Sequence, residues 1–302
     1  MNEADFIAAL RTLPLHPGAD GLADDAATLA VGGATLVLTH DMIAQGVHYL
    51  PGTDPADIAW KLVAVNLSDL AAKGAQPLGL LIGATLAPDS AEFVEGLRTA
   101  LDHWRVPLMG GDTIALSPGA PGVFGCTAIG LAAHCPVPVR TGARAGDLLW
   151  VTGSIGDAGA GLAVARGEPG PEALRTRYLR PEPRLDEGRA LAPVAHAMMD
   201  VSDGLLIDAG RMAAASGVAL ALDLASVPMS PALRAHAGDG RAARLAAATA
   251  GDDYELLFAL PADATPPVPA TCVGRFSSGA GLSLHDAGTP LPLPDRIGFQ
   301  HH

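Results

Sequence analysis

The chain has 302 residues, enough for about two domains at roughly 150 residues each, and at 49% hydrophobic and 17% charged it is too apolar for a disordered chain. Ala and Gly supply much of the apolar content, and no uninterrupted apolar run reaches the roughly 18 residues of a transmembrane helix. With 19 basic against 32 acidic residues the formal charge is −13, which argues against a nucleic-acid partner because phosphate would be repelled over most of the surface.

The start, MNEADFIAALRT, is acidic and does not read as a secretory signal, so a cytoplasmic protein is expected. Leu29 to Asp41 reads as a strand or hairpin. Asp54 then caps a helix with Pro55 at its first position, Ile58, Leu62, Val65 and Leu70 keep the helical period, and Gly74 marks the stop. A strand over 78–86, a helix over 89–104 and a strand over 122–132 complete the first half. Two prolines and two glycines between Pro136 and Asp147 mark the domain junction. Beyond it we read a strand at 148–152, a helix after Gly156, a Pro-rich loop at 180–184, a strand at 197–201, a helix from Leu205, a helix-prone RAARLAAATA and a strand at 254–260. The alternation predicts an α/β (α+β) protein of two α/β domains, 1–138 and 139–302. Cys126, Cys135 and Cys272 are odd in number and scattered, as suits reduced structural thiols.

The feature that points to chemistry is a series of aspartates at predicted element ends: Asp24-Asp25, Asp41, Asp69, Asp112, Asp200 and Asp203. Hard oxygen ligands in such number suit Mg²⁺ bound alongside phosphates. Each has a plainer alternative, since Asp24-Asp25 or Ser202-Asp203 could cap a helix. Asp69 is different. Near the C-terminal end of its helix the macrodipole disfavours a carboxylate, so a positive partner is expected, and Asn66 should share its face. Gly110-Gly111 and VTGSIGDAGAGL read as tight turns, and neither a P-loop nor a Rossmann fingerprint is present.

Taken in order, DDAA (24–27), THDMIAQGVHY (39–49), KLVAVNLSDLAAKGAQP (61–77), GGDT (110–113), YLRPEPR (178–184), DVSDGLLIDAG (200–210), GDDYELLF (251–258) and GFQH (298–301) resemble the thiamine-monophosphate kinase family. That family shares a superfamily with aminoimidazole-ribonucleotide and selenophosphate synthetases. The resemblance implies phosphorylation of thiamine monophosphate by ATP on a homodimer paired through its N-terminal domains. Carried over residue by residue, Mg²⁺ ligands fall on Asp24, Thr39, Asp41, Asp69, Asp112, Asp200 and Asp203. ATP contacts fall on Gly111, Asp112, Arg140 and Ser202, and acceptor contacts on His48, Asp252 and Phe299. The chain departs from the family pattern at Ala23, His40 and Asp252, the last a carboxylate shorter by one methylene. A sister synthetase, or a phosphate-binding protein without catalysis, is the alternative. The GFQH ending also implies that His301-His302 is native sequence rather than a tag.

Overall fold

The computed structural model describes residues 3–300 apart from Pro88 and Pro118; His301 and His302 lie outside the described residues. A first helix α1 (Glu3–Leu10) leads through a 3-10 turn to β1 (Ala27–Val31) and β2 (Ala34–Ala44), an antiparallel hairpin turned by Gly32 and Gly33 at positive φ. Then follow α2 (Pro55–Ala72), β3 (Ala75–Leu86), α3 (Ser90–Trp104), β4 (Leu108–Ala115) and β5 (Val123–Ala132). The sheet order is β1-β2-β5-β3-β4, antiparallel except for the β3 and β4 pair.

The second half comprises β6 (Leu148–Thr152), α4 (Asp157–Ala165), α5 (Glu172–Leu179), α6 (Leu185–Leu191), β7 (Ala197–Asp200), α7 (Leu205–Ser216), β8 (Ala219–Asp223), α8 (Pro231–Ala237), α9 (Arg241–Thr249), β9 (Leu256–Leu260), β10 (Ala270–Ser277), β11 (Gly281–Asp286) and β12 (Thr289–Leu291). Its seven strands run β12-β11-β8-β10-β6-β9-β7, and only β11 and β8 pair in parallel. Among the described residues no helix is long and apolar enough to cross a membrane.

Helix α2 begins as the sequence predicts: Asp54 accepts the Ala56 N–H at 2.8 Å and Pro55 follows. Every residue from Ile58 to Ala72 is buried, because α2 lies between the two sheets. It packs on β2, β3, β5 and α3 in the first core, and on β7, α5 and α6 toward the second. Three sequence expectations are corrected. Gly110 and Gly111 lie inside β4, where a Cβ on Gly111 would stand 1.9 Å from the Ile82 oxygen, so close approach of a parallel strand, rather than a turn, requires the glycine. Asp24-Asp25 leads into β1 and caps no helix. At α7 the cap is Gly204 without a side-chain bond; Asp208, one turn inside, instead accepts the Asp203 and Gly204 N–H groups at 3.0 and 3.1 Å.

Helices α2 and α3 meet at Gly96, whose missing Cβ would lie 2.4 Å from the Ala56 Cα. Gly96→Ala is therefore expected to destabilise by about 1–3 kcal/mol through overpacking, with an unchanged denaturant m-value. Urea titration checks it; an unaltered midpoint would show that the helices separate freely.

Candidate functional site

Two groups of acidic residues meet where α2 passes between the sheets. In the first, the Lys73 ammonium, 1% exposed, lies 2.5 Å from Asp24 and 2.9 Å from Asp25, while the Arg140 guanidinium bonds Asp25 from the other side. Burial alone would raise Asp25, but Lys73 and Arg140 outweigh it and hold its carboxyl below 3.8. Burial prevails at Asp24, whose pKa is raised, with Lys73 pulling it down and Asp25 pushing it up. These two acids thus come with two protein cations.

The second group is Asp41, Asp69 and Asp200, and among the described residues no ion pair to a protein cation is formed by any of them. The Thr39 hydroxyl bonds Asp69, the Asn66 amide oxygen accepts the Asp41 backbone N–H at 2.9 Å, and the Ser68 hydroxyl bonds Asp200 at 2.5 Å. Burial, then Asp41 and Asp200, push the Asp69 carboxyl well above 3.8; burial and Asp25 do the same to Asp200. Asp41 keeps solvent contact but is hemmed in by protein, and that desolvation, opposed by His40, raises it too. Asn66 does share the Asp69 face, yet among the described residues no protein cation pairs with Asp69.

The donor set is all hard oxygen, with surplus negative charge confined to the second group. Among the described residues no three acidic, His or Cys side chains already converge as a closed metal cage. Mg²⁺ needs none, since it keeps waters and takes one or two carboxylates with substrate phosphates. The residues present therefore fit a divalent ion.

The segment after β7 joins this cluster to the other predicted contacts. The Asp252 N–H donates to the Ser202 oxygen and the Tyr254 N–H to the Val201 oxygen, both at 2.8 Å, and the Phe299 N–H donates to the Asp203 oxygen at 2.9 Å. Asp203 itself pairs with Arg211 at 2.5 Å. Asp252 and Tyr254 both sit at positive φ, 68° and 52°, a conformation that side chains resist and that clusters at functional sites. Asp252 is bonded by Lys61 at 2.8 Å and by the Tyr254 hydroxyl at 3.0 Å, and Lys61 also donates to the His48 oxygen at 3.0 Å. His48 Nδ1 accepts the Ala44 N–H at 3.1 Å, which leaves the proton of the neutral ring on Nε2.

Gly111 and Asp112 are not brought to the cluster within the chain. Asp112 shares a cross-strand row with Gly83, Gly125 and Met42, whereas Asp41 shares the next row with Cys126, Ile82 and Gly111. Neighbouring rows point to opposite faces of a pleated sheet, and three strand spacings, about 14 Å, part β4 from β2. That outer face exposes Met42, Leu81, Ile114 and Leu131. Cavities of about 490 and 410 Å³ occur elsewhere; none of the predicted site residues lines either.

Of the departures, Ala23 ends the 3-10 turn in an unstrained conformation and His40 bonds the Thr127 hydroxyl at 2.9 Å. Sequence reasoning missed Lys61, Lys73 and Glu255, and it singled out Asp25 without giving it a role. Glu255, fully buried, takes Arg184 at 2.5 Å, Arg177 at 3.0 Å and the Thr152 hydroxyl at 2.7 Å, fastening the Pro-rich loop under the site. The VTGSIGDAG run is a packed turn, as its composition suggests: its Gly156 N–H is capped by Asp253, and a Cβ there would meet Ala247 at 2.4 Å. The Cys126 thiol is pushed up to about 12 by burial and Asp41, which removes it as a nucleophile.

The raised carboxyls carry a pH signature. A carboxyl raised in the folded state contributes stability that is complete below its unfolded pKa and lost as pH rises through the folded one. Asp25 remains ionised above that range, and Lys73 and Arg140 titrate beyond it. Metal-free protein should therefore lose melting temperature as pH rises above the ordinary carboxyl range and through the raised values of Asp69 and Asp200, and Asp69→Asn/Asp200→Asn should lose less. Calorimetry in chelator checks this; the same slope in both would place those carboxyls in solvent.

The chain is similar to known proteins over most of its length. The family model "AIR synthase related protein, N-terminal domain" matches residues 23–132, and "AIR synthase related protein, C-terminal domain" matches residues 144–284. Thiamine-monophosphate kinase of Salmonella typhimurium is 38% identical, with 93% of this chain and 91% of that one covered. That of Caulobacter vibrioides is 37% identical, with 99% and 90% covered. A solved structure described as "AaThiL complexed with AMPPCP and TMP" matches with a TM-score of 0.88 at 29% identity, over 100% of this chain and 97% of that one.

Proposed function

We propose a residue-level mechanism for this chain, which belongs to the thiamine-monophosphate kinase family and phosphorylates thiamine monophosphate to thiamine diphosphate with ATP as donor. The observation that carries it is the group of Asp41, Asp69 and Asp200, acids without protein cations, set beside the Ser202 and Asp252 segment. The acceptor phosphate oxygen is already anionic near neutral pH, so no general base is needed; it attacks the γ-phosphorus in line, and the bond to the ADP oxygen breaks. Positioning and charge neutralisation then dominate. Mg²⁺, when bound, supplies the positive charge that offsets repulsion between the two phosphates.

In this reading Asp41, Asp69, Asp200 and Thr39 would hold the metal, and Asp24 and Asp203 would add ligands from positions where each now pairs with a protein cation. Arg140, anchored on Asp25, places a charge near the nucleotide beside Ser202, and His48, Asp252 and Phe299 line the acceptor's organic part. Gly111 and Asp112 serve from a second copy, because three strand spacings part β4 from β2, the register turns Asp112 to the opposite face from Asp41, and the outer apolar face suits a homodimer. The units are 1–138 and 139–302, in a cytoplasmic enzyme.

Incubation with ATP, Mg²⁺ and thiamine monophosphate tests the reading. Thiamine itself should be a very poor acceptor, lacking the anionic nucleophile, and Asp41→Asn and Asp69→Asn should each remove nearly all turnover. Efficient use of thiamine, or wild-type turnover in either variant, would overturn the metal-clamped acceptor.

The shared site has its own test. Asp69→Asn and Asp112→Asn proteins, each inactive, should recover up to about a quarter of wild-type activity when unfolded and refolded together, because half the dimers are mixed and each has one intact site. No recovery would put Asp112 in the same chain's site.

A further inference from the structure

Lys61 is a charged side chain in the middle of a buried helix, only 2% exposed, and the metal-assisted transfer leaves it without a role. Burying an ammonium is costly unless it is paired and hydrogen-bonded. Its partners all belong to one place. It donates to Asp252 and to the His48 carbonyl, and its nitrogen sits 4.0 Å from the centre of the Tyr178 ring, whose hydroxyl also donates to the His48 oxygen at 3.3 Å. Lys61 therefore ties three segments together: α2, the turn that carries His48, and the strained Asp252 turn. The Asp252 side chain remains 27% exposed, so its carboxylate has an open side, but both oxygens are held from behind, Oδ2 by Lys61 and Oδ1 by Tyr254.

We propose that Lys61 is the positioning residue of the acceptor pocket: it fixes the Asp252 carboxylate and the His48 turn in one geometry and neutralises Asp252, so that the acceptor meets an internally balanced polar wall and is recognised by hydrogen bonding rather than by an unpaired negative charge. This rests on the placement of Asp252 and His48 at the acceptor. Asp252 is shorter than the glutamate of the family pattern, and Lys61 supplies the constraint that keeps so short a carboxylate at a defined position.

The experiment compares Lys61→Met, Lys61→Arg, Asp252→Asn and the double variant Lys61→Met/Asp252→Asn in steady-state kinetics with each substrate varied, with melting temperature measured in parallel. Lys61→Met should raise the acceptor KM about tenfold or more, as expected when one partner of a buried pair is left alone, while the ATP KM stays within about twofold. Lys61→Arg should restore part of the loss. The double variant should be no worse than the worse single variant, because the lysine acts through the aspartate. If Asp252→Asn raises the acceptor KM but Lys61→Met does not, or the two effects simply add, the proposal falls while the acceptor placement stands. An equal rise in both KM values with Lys61→Met, tracking a lower melting temperature, assigns Lys61 to folding alone and overturns it as well. If Asp252→Asn leaves the acceptor KM unchanged, the placement itself fails and takes the proposal with it.

Discussion

A helix buried along fifteen consecutive residues must find a partner for every polar side chain it carries, because an unsatisfied buried group costs about as much as several good contacts contribute. Helix α2 carries Lys61, Asn66, Ser68, Asp69 and Lys73 inside that stretch or at its cap. Their partners are Asp252, the Asp41 backbone, Asp200, Thr39 and the Asp24-Asp25 pair. The need to satisfy one helix therefore dictates where the carboxylates of both halves of the chain converge.

Charge is divided unevenly within that convergence. Asp24 and Asp25 are paired with Lys73 and Arg140, so the protein itself supplies positive charge to this group. Asp69 and Asp200 each take a hydrogen bond from a neutral hydroxyl, and Asp41 is placed through its backbone N–H, which donates to Asn66; none of these contacts removes the repulsion among the three carboxylates. Such an arrangement lowers stability in the empty protein and stores favourable interaction for whatever positive charge arrives with the phosphates, the familiar conflict between a stable fold and a poised site.

Much of this was legible in the chain. The Asp54-Pro55 helix start and the strand at 148–152 follow local chemistry that tertiary structure did not override, and the segment from Leu29 to Asp41, open between strand and hairpin in sequence, resolves as a hairpin at Gly32-Gly33. The Gly110-Gly111 strand was not legible, because two glycines signal a turn locally and only the approach of Ile82 explains them. Lys61 and Lys73 were passed over for a similar reason: a lysine in a helix ordinarily marks its solvated face. The available signal was their spacing with Asn66 and Asp69 along a segment whose remaining residues are nearly all apolar. Asp112 could be aligned with the family but not positioned, since strand order decides its neighbours and no local pattern reports strand order.

The position of α2 also bears on how the molecule comes apart. Its Leu62, Val65 and Leu67 belong to the core under the five-stranded sheet, while Ala71 and Ala72 belong to the layer beneath β7 and β9. Two sheets with separate cores would ordinarily open as separate cooperative units, each with its own hydrogen-exchange protection. Here neither can lose its packing without exposing a stretch of the same helix, and a break anywhere along it strands charged groups in the other half. The slowest-exchanging amides of the five-stranded sheet and of β7 and β9 are thus expected to share one opening event centred on α2.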